Sequence, residues 1–479
     1  MNFNEHAAIA RDAFDQALPS PWPEDLSETV RQRVRDCGRT LVVLDDDPTG
    51  GQAVHGLREL LHWDEALLEA LITEDPGTFF ALTNTRSLGA TEARNAIHQL
   101  ATQLAAIARR TNRPLDLLVR GDSTLRGHYP HELDAVRDAF ETRMGFRYDG
   151  VILCPFFAEG GRLTAGDIHW VAEGDSVRPV AKTEFARDAA FGYERSHLAH
   201  WVEEKTAGTV CAGDVLSISL ECIRQQGPEG VCDQLLQMAP GRVAIINAVS
   251  YRDIEVATLG LLDAQERGKR FLLRTSASFV KVRSGVEDRP LLETSELTQP
   301  GAQGGLVAVG SYVDKTTQQL EGLLQLDGVK GIELGVETVL GPQRDGEIAR
   351  VAGAATEALA AGVDAIIYTS RTRETARGKA GDLQVGSRVS TALIETIKRI
   401  DTVPRFFIAK GGITSSDIAR LGLGAHSVDI LGQILPGVPV WRLGAESRFP
   451  GMAYVVFPGN VGTSDSLAEA VLRCRGANA

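Results

Sequence analysis

The sequence predicts an α/β protein of two domains with largely parallel sheets, and three observations carry that expectation. From Thr40 onward, short apolar or β-branched runs alternate with longer helical patterns. The alternation breaks once, over 284–303, where Gly, Pro and Ser gather and periodicity is lost. Several strand runs also end directly in glycines, hydroxyls and charged groups, at the edge where open α/β sheets take their ligands. The expected division is an N-terminal extension 1–38, a first domain 39–285, a linker 286–304 and a second domain 305–479. The ligand site is expected in the cleft between the domains.

The extension is broken by Pro19, Pro21 and Pro23 and then runs as a charged helical stretch from Asp25 to Asp36, expected to cap the first domain or to contact another subunit, with no chemistry of its own. In the first domain the strands are expected at Leu41–Leu44, Thr78–Leu82, Leu115–Val119, Val151–Cys154, Val243–Asn247 and Arg270–Arg274. A helix is expected over Thr91–Arg110, with Thr91 as its N-cap. The second domain offers strands at Leu306–Val309, Gly331–Leu334, Ala365–Tyr368, Phe406–Ile408, Val438–Leu443 and Ala453–Phe457. Its helices are expected at Asp314–Leu324, Asp345–Ala361, Ser387–Arg399 and Ser415–Leu421.

Composition narrows the function. Of 479 residues, 63 are acidic and 50 basic, a net charge of −13, so no basic field would draw in nucleic acid or an anionic membrane. No apolar run approaches the roughly 18 residues of a membrane span, and the N-terminus has no signal-peptide core. The six cysteines show no C-x-x-C spacing, which points to a reducing, cytoplasmic setting without a zinc site.

The sharpest motif is LVVLDDDPTGGQAVHG, Leu41–Gly56. An apolar strand feeds three adjacent carboxylates that repel one another, followed by a Gly pair that lets a backbone approach a ligand. A second lies in LLVRGDSTLRGHYPHEL, where Arg120, Asp122, Ser123 and Arg126 suit a carboxylate flanked by hydroxyls. A solvated ion-pair loop is its plainer reading. LTNTRSLGATEA adds Arg86 and Ser87 before a helix start, and CPFFAEGGRLTAGDIHWV opens a Gly-rich loop with Arg162. His169 in the latter reads as a satisfied structural histidine. If the sheet is parallel, these four strand ends converge on one edge.

The second domain repeats a strand–glycine–helix plan three times. VGSYVD presents Ser311, FFIAKGGITSSD presents Lys410, Gly411, Gly412 and Thr414, and VVFPGNVGTSD presents Gly459 and Asn460. Glycines, hydroxyls and helix amides can cradle phosphate, although neither a Walker A loop nor a G-x-G-x-x-G fingerprint is present. Lys410 would meet the phosphates or merely flank the helix.

In this order, DDDPTGGQ, LTNTRS, RGDSTLRGH, the VGS turn, KGGITS and FPGNVG resemble the four-carbon acid sugar kinase family, over about residues 40 to 470. The resemblance implies phosphorylation of D-threonate, D-erythronate or a 3-oxo-tetronate by ATP. It further implies an acid-sugar-binding N-terminal domain and a nucleotide-binding C-terminal one. Asp46, Asp47, Ser87, Arg120, Asp122, Ser123 and Arg126 would line the sugar site, while Ser311, Gly411, Gly412, Thr414 and Gly459 would contact ATP. The first motif departs from the DDFTGA-like pattern of many members through Pro48 and Gln52.

On this reading one of Asp45, Asp46 and Asp47 accepts the hydroxyl proton, with Asp122 as second candidate, and Arg120 and Arg126 clamp the substrate carboxylate. Mg2+ would ride on the phosphates and one carboxylate. The competing readings are a non-catalytic sensor of sugar acid and nucleotide, or another nucleotide-dependent enzyme such as a ligase. The chain's size and extension are compatible with a homodimer.

Overall fold

The computed structural model describes residues 3–74, 77–310, 314–370, 379–459 and 461–476. The chain divides into two α/β units, one of residues 1–54 and 63–288, the other of 55–62 and 289–479.

The first unit is built on seven parallel strands. Their order across the sheet is Leu216–Ile218, Arg242–Ile246, Gly150–Cys154, Phe271–Thr275, Leu115–Arg120, Thr40–Asp45 and Thr78–Leu82. All six residues of Thr40–Asp45 and all six of Leu115–Arg120 are buried, as expected of a parallel sheet covered on both faces. Register then decides what meets at the carboxyl edge. Asp45 lies opposite Leu82 on one side and Arg120 on the other, Arg120 opposite Thr275, and Thr275 opposite Cys154.

The helix after Asn84 runs from Ala90 to Thr111. Thr91 is inside it and Gly89 is the cap residue, its N–H donating to Glu92 Oε2 at 3.2 Å, which corrects the expected Thr91 cap. A small antiparallel sheet of Arg162–Ala165, Ile168–Glu173, Ser176–Pro179 and Ile9–Ala10 completes this unit. Through Ile9–Ala10, and through Phe3 and Phe14 packed on Trp170, the N-terminal extension becomes part of the first unit's structure.

The second unit carries an eight-stranded sheet. Leu57–Leu60, Ser427–Leu435, Val438–Leu443 and Ala453–Phe457 pair antiparallel in that order. Phe407–Lys410, Leu306–Val309, Asp364–Thr369 and Val329–Leu334 then continue in parallel from the last of these. Ser427–Leu435 is a strand the sequence does not announce. Gly432, at φ +139°, carries a register shift that interrupts its alternation.

Leu292 and Leu297, in the segment expected as linker, are buried in this unit's core with Val307, Phe406 and Val455. The helix expected at Ser415–Leu421 begins earlier, at Gly412, and widens into a π turn over Ile418–Gly422.

Candidate functional site

The carboxyl edge of the first unit gathers the motifs singled out in the sequence. Asp45, the last residue of its strand, is fully buried, with Oδ1 3.5 Å from Arg120 Nη1 and Oδ2 without a hydrogen-bond partner. Gly50 is folded back onto this carboxylate so closely that a Cβ there would fall 1.5 Å from Oδ2. Burial, opposed by Arg120 and reinforced by Asp46 and Asp47, pushes the Asp45 carboxyl up to about 7.

Asp46, also buried, accepts from Arg86 Nη2 at 2.6 Å and Nε at 3.2 Å, and from Arg120 Nη1 at 3.4 Å. Asp47 takes the Thr49 N–H at 2.9 Å and its hydroxyl at 2.5 Å on Oδ1, while Oδ2 faces Arg86 Nη1 at 3.3 Å. Burial would raise the Asp47 carboxyl, but Arg86, Arg120 and the Thr49 donors outweigh it and hold the group below its usual range. The Asp47 side chain keeps 17% of its surface exposed, against 1% for Asp46 and none for Asp45. Of the three, Asp47 alone offers a surface to a ligand.

The second motif is tied to itself. Asp122 Oδ2 accepts from Arg126 Nε at 2.7 Å and from the Thr124 hydroxyl. Although burial acts in the other direction, Arg126 and Arg86 hold this carboxyl well below the usual carboxylate range. Asp122 is thereby occupied by donors of its own loop and serves to hold Arg126 in place. Arg120 and Arg126, expected to clamp substrate, are engaged by Asp45, Asp46 and Asp122 inside the protein. Ser123 is half-buried and its carbonyl accepts from His169, whereas Ser87 is exposed with its hydroxyl on the Asn84 carbonyl at 2.8 Å.

Two residues not singled out in the sequence belong here. Arg274, buried at a strand's end, lies so close to Gly121 that a Cβ there would stand 2.1 Å from Cζ, and it reaches Glu132 Oε2 at 3.4 Å. Buried Glu132 accepts from the Thr85 hydroxyl at 2.5 Å, and desolvation raises its carboxyl. A strand-end arginine was the available signal for Arg274. A cavity of about 10 Å³, room for a single water, touches Gly121, Asp122, Arg274 and Ser276. A larger cavity, about 800 Å³, is lined by Tyr193, Glu194, Arg195, His200 and Glu203, and Tyr193 donates its hydroxyl to the Thr124 carbonyl at 2.6 Å.

His169 is fully buried between the Thr164 hydroxyl (Nδ1, 2.9 Å) and the Ser123 carbonyl (Nε2, 2.7 Å), and burial lowers its imidazolium to about 4. Folding therefore favours the neutral ring. Its contribution is fully present above the unfolded value near 6.5 and is lost as pH falls toward 4, up to about 3 kcal/mol. His169→Gln should flatten that part of the acid limb in urea titrations from pH 7 to 4. An unchanged slope would show that other groups produce it.

In the second unit the last residues of three adjacent strands, Val309, Lys410 and Phe457, lie in register. The turns that follow are Gly310, Gly411–Gly412 and Pro458–Gly459. Gly411 adopts φ +114° and donates its N–H to the Phe457 carbonyl at 2.8 Å. A Cβ on Gly310 would approach Thr414 Oγ1 to 2.6 Å. Bare backbone at adjacent strand ends, with Thr414 beside it, suits a phosphate chain.

Lys410 is placed otherwise than expected. Its fully buried ammonium donates to the Pro458 carbonyl at 2.5 Å and the Gly459 carbonyl at 3.3 Å, over the Phe457 ring, and burial pulls it down to about 7. It ties the Pro458–Gly459 turn to the sheet. Thr316 and Gln319 hold the same loop through the carbonyls of Gly459, Val461 and Thr463. Ser311 and Asn460 lie outside the described residues. Among the described residues no three His, Cys, Asp or Glu side chains are grouped to hold a metal ion, and no helix is long and apolar enough to cross a membrane.

These two sets of strand ends coincide with two known domain types. Residues 41–283 match the family model of a sugar-binding N-terminal domain, and residues 306–467 that of a nucleotide-binding C-terminal domain. The chain belongs to the family that joins these two domains, the one indicated by the resemblance to four-carbon acid sugar kinases.

Two solved structures share the fold. Protein HI1011 of Haemophilus influenzae, described as a DUF1537 member, has a TM-score of 0.60 at 16% identity, covering 90% of this chain and 99% of its own. A Salmonella typhimurium LT2 protein, provisionally described as a tRNA synthase, has a TM-score of 0.64 at 17% identity, covering 90% and 98%. No curated protein matches the sequence.

Proposed function

We propose that this protein is an ATP-dependent kinase that phosphorylates a hydroxyl of a small sugar acid, a four-carbon aldonate or 3-oxo-tetronate. The observation that carries the reading is one chain with an arginine-rich strand edge in its sugar-binding domain and bare glycine turns in its nucleotide-binding domain.

Phosphoryl transfer asks for positioning and for charge to be offset, more than for covalent chemistry. Asp47, ionised and partly exposed, accepts the proton of the attacking hydroxyl. Asp46 holds Arg86 beside it, and Asp122 holds Arg126. Gly310, Gly411, Gly412, Thr414 and Gly459 form the phosphate cradle. Mg2+, entering on the phosphate oxygens, would neutralise charge developing there. Six unpaired cysteines fit a reducing, cytoplasmic compartment.

The test is ADP release from Mg-ATP over a panel of C4 to C6 aldonates. Calorimetric binding of both ligands with no ADP formed would replace the kinase with a sensor. Within this reading, Gly310→Ala brings a methyl against Thr414 and should raise the KM for ATP by about tenfold, the scale of one strained cradle contact. The KM for the acid should stay unchanged. An equal rise in both would mean that the substitution disturbs the whole unit.

A further inference from the structure

The arginines of the first unit's edge differ in one respect. Arg86, Arg120, Arg126 and Arg274 each reach a carboxylate, at 2.6, 3.4, 2.7 and 3.4 Å. Arg162 reaches none within ion-pair distance among the described residues. Its Nε is buried without a hydrogen-bond partner, and Nη1 donates only to the Gly160 carbonyl. Its guanidinium lies 5.4 Å from the centroid of the Phe185 ring, the same ring that takes Arg126 at 5.3 Å.

The placement is built in. Gly160 leaves the space that Arg162 fills, since a Cβ there would stand 2.8 Å from Nη1. The hairpin that carries Arg162 is fastened to the Asp122 loop through His169 on the Ser123 carbonyl, and to Ala248 through the Thr164 N–H. Burial and the neighbouring Arg126 both disfavour its charge, against Asp122, Glu173 and Glu184, yet a guanidinium does not give up its proton in a protein. Asp122 is already taken by Arg126 and Thr124. A desolvated cation with free donors, beside a site for hydroxylated acids, lacks one planar anion.

We infer that Arg162 is the residue that binds the carboxylate of the acid substrate and so selects acids over neutral polyols. This rests on the kinase reading, and it replaces Arg120 and Arg126 as the clamp because both are paired internally.

The experiment compares wild type, Arg162→Gln and Arg162→Lys with D-threonate and, as the neutral analogue, D-threitol. Loss of a charged hydrogen-bonding partner should raise the KM for D-threonate about 10- to 100-fold in Arg162→Gln. The KM for ATP and the weak use of D-threitol should not move, and Arg162→Lys should recover part of the loss. An unchanged KM for D-threonate overturns the inference, as does a rise confined to ATP, which would assign Arg162 to phosphate. If wild type phosphorylates no aldonate, the kinase reading fails separately. Calorimetry of D-threonate without ATP then decides: binding lost in Arg162→Gln supports the carboxylate role, and equal binding overturns it. Should Arg162→Gln fail to fold, Arg162→Lys takes its place, with a smaller rise expected and none overturning the inference.

Discussion

Asp47→Asn is expected to cut turnover by about two to four orders of magnitude, the usual span for removing a positioned general base. Its melting temperature should stay close to that of wild type. The argument is geometric before it is electrostatic. Asp45 is sealed beneath Gly50 and Asp46 is enclosed by Arg86 and Arg120, so neither presents an oxygen to a ligand. Asp47 presents Oδ2, with Thr49 fixing its other oxygen. Because Arg86 and Arg120 keep this carboxyl ionised, the base form is present throughout the neutral range. Its titration should therefore leave no inflection near pH 7 in the rate profile. Steady-state kinetics with an active aldonate check the prediction. Turnover within threefold of wild type would remove Asp47 from the chemistry.

The parts of the fold that were legible are those with a local signature. Leu41–Leu44, Val151–Cys154 and Ala453–Phe457 are unbroken apolar runs closed by polar turns, and they became buried strands within a residue or so of their expected ends. Leu57–Leu60 carries no such signal. Its sequence, LREL, is short and mixed, and its antiparallel partner is Ser427–Ile430, some 370 residues further along the chain. Nothing local could assign it to the second unit.

The candidate site divides the same way. That charged residues follow the strands was readable from sequence. Which charge meets which depends on register, and periodicity does not supply the pairing of Asp45 with Arg120 or of Arg86 with Asp46. Glu132 shows the limit most clearly. Nothing in HELDAV marks Glu132 for burial, and the structure buries it between Thr85 and Arg274.

Adjacent aspartates should answer to substitution with opposite signs of stability, and this is the second large effect expected. Asp46→Ala removes the shared partner of Arg86 and Arg120 and leaves two largely buried guanidinium groups short of an anion. Breaking a buried ion pair from one side costs about 3 kcal/mol or more, since the remaining charge keeps its desolvation penalty. Asp45→Asn does the reverse. The Asp45 carboxyl titrates at about 7 in the folded chain, against 3.8 for an unperturbed aspartate, so its contribution to stability is fully present below 3.8 and is lost as pH rises through 7. An amide cannot ionise, so Asp45→Asn should be more stable than wild type at pH 8.5 and should keep only a minor part of that advantage at pH 5. Denaturant midpoints of the three proteins at the two pH values test both signs together. If Asp45→Asn proves the less stable at pH 8.5, its carboxylate is held as an anion by Arg120. The charge balance at the strand edge would then be carried by two buried acids in place of one.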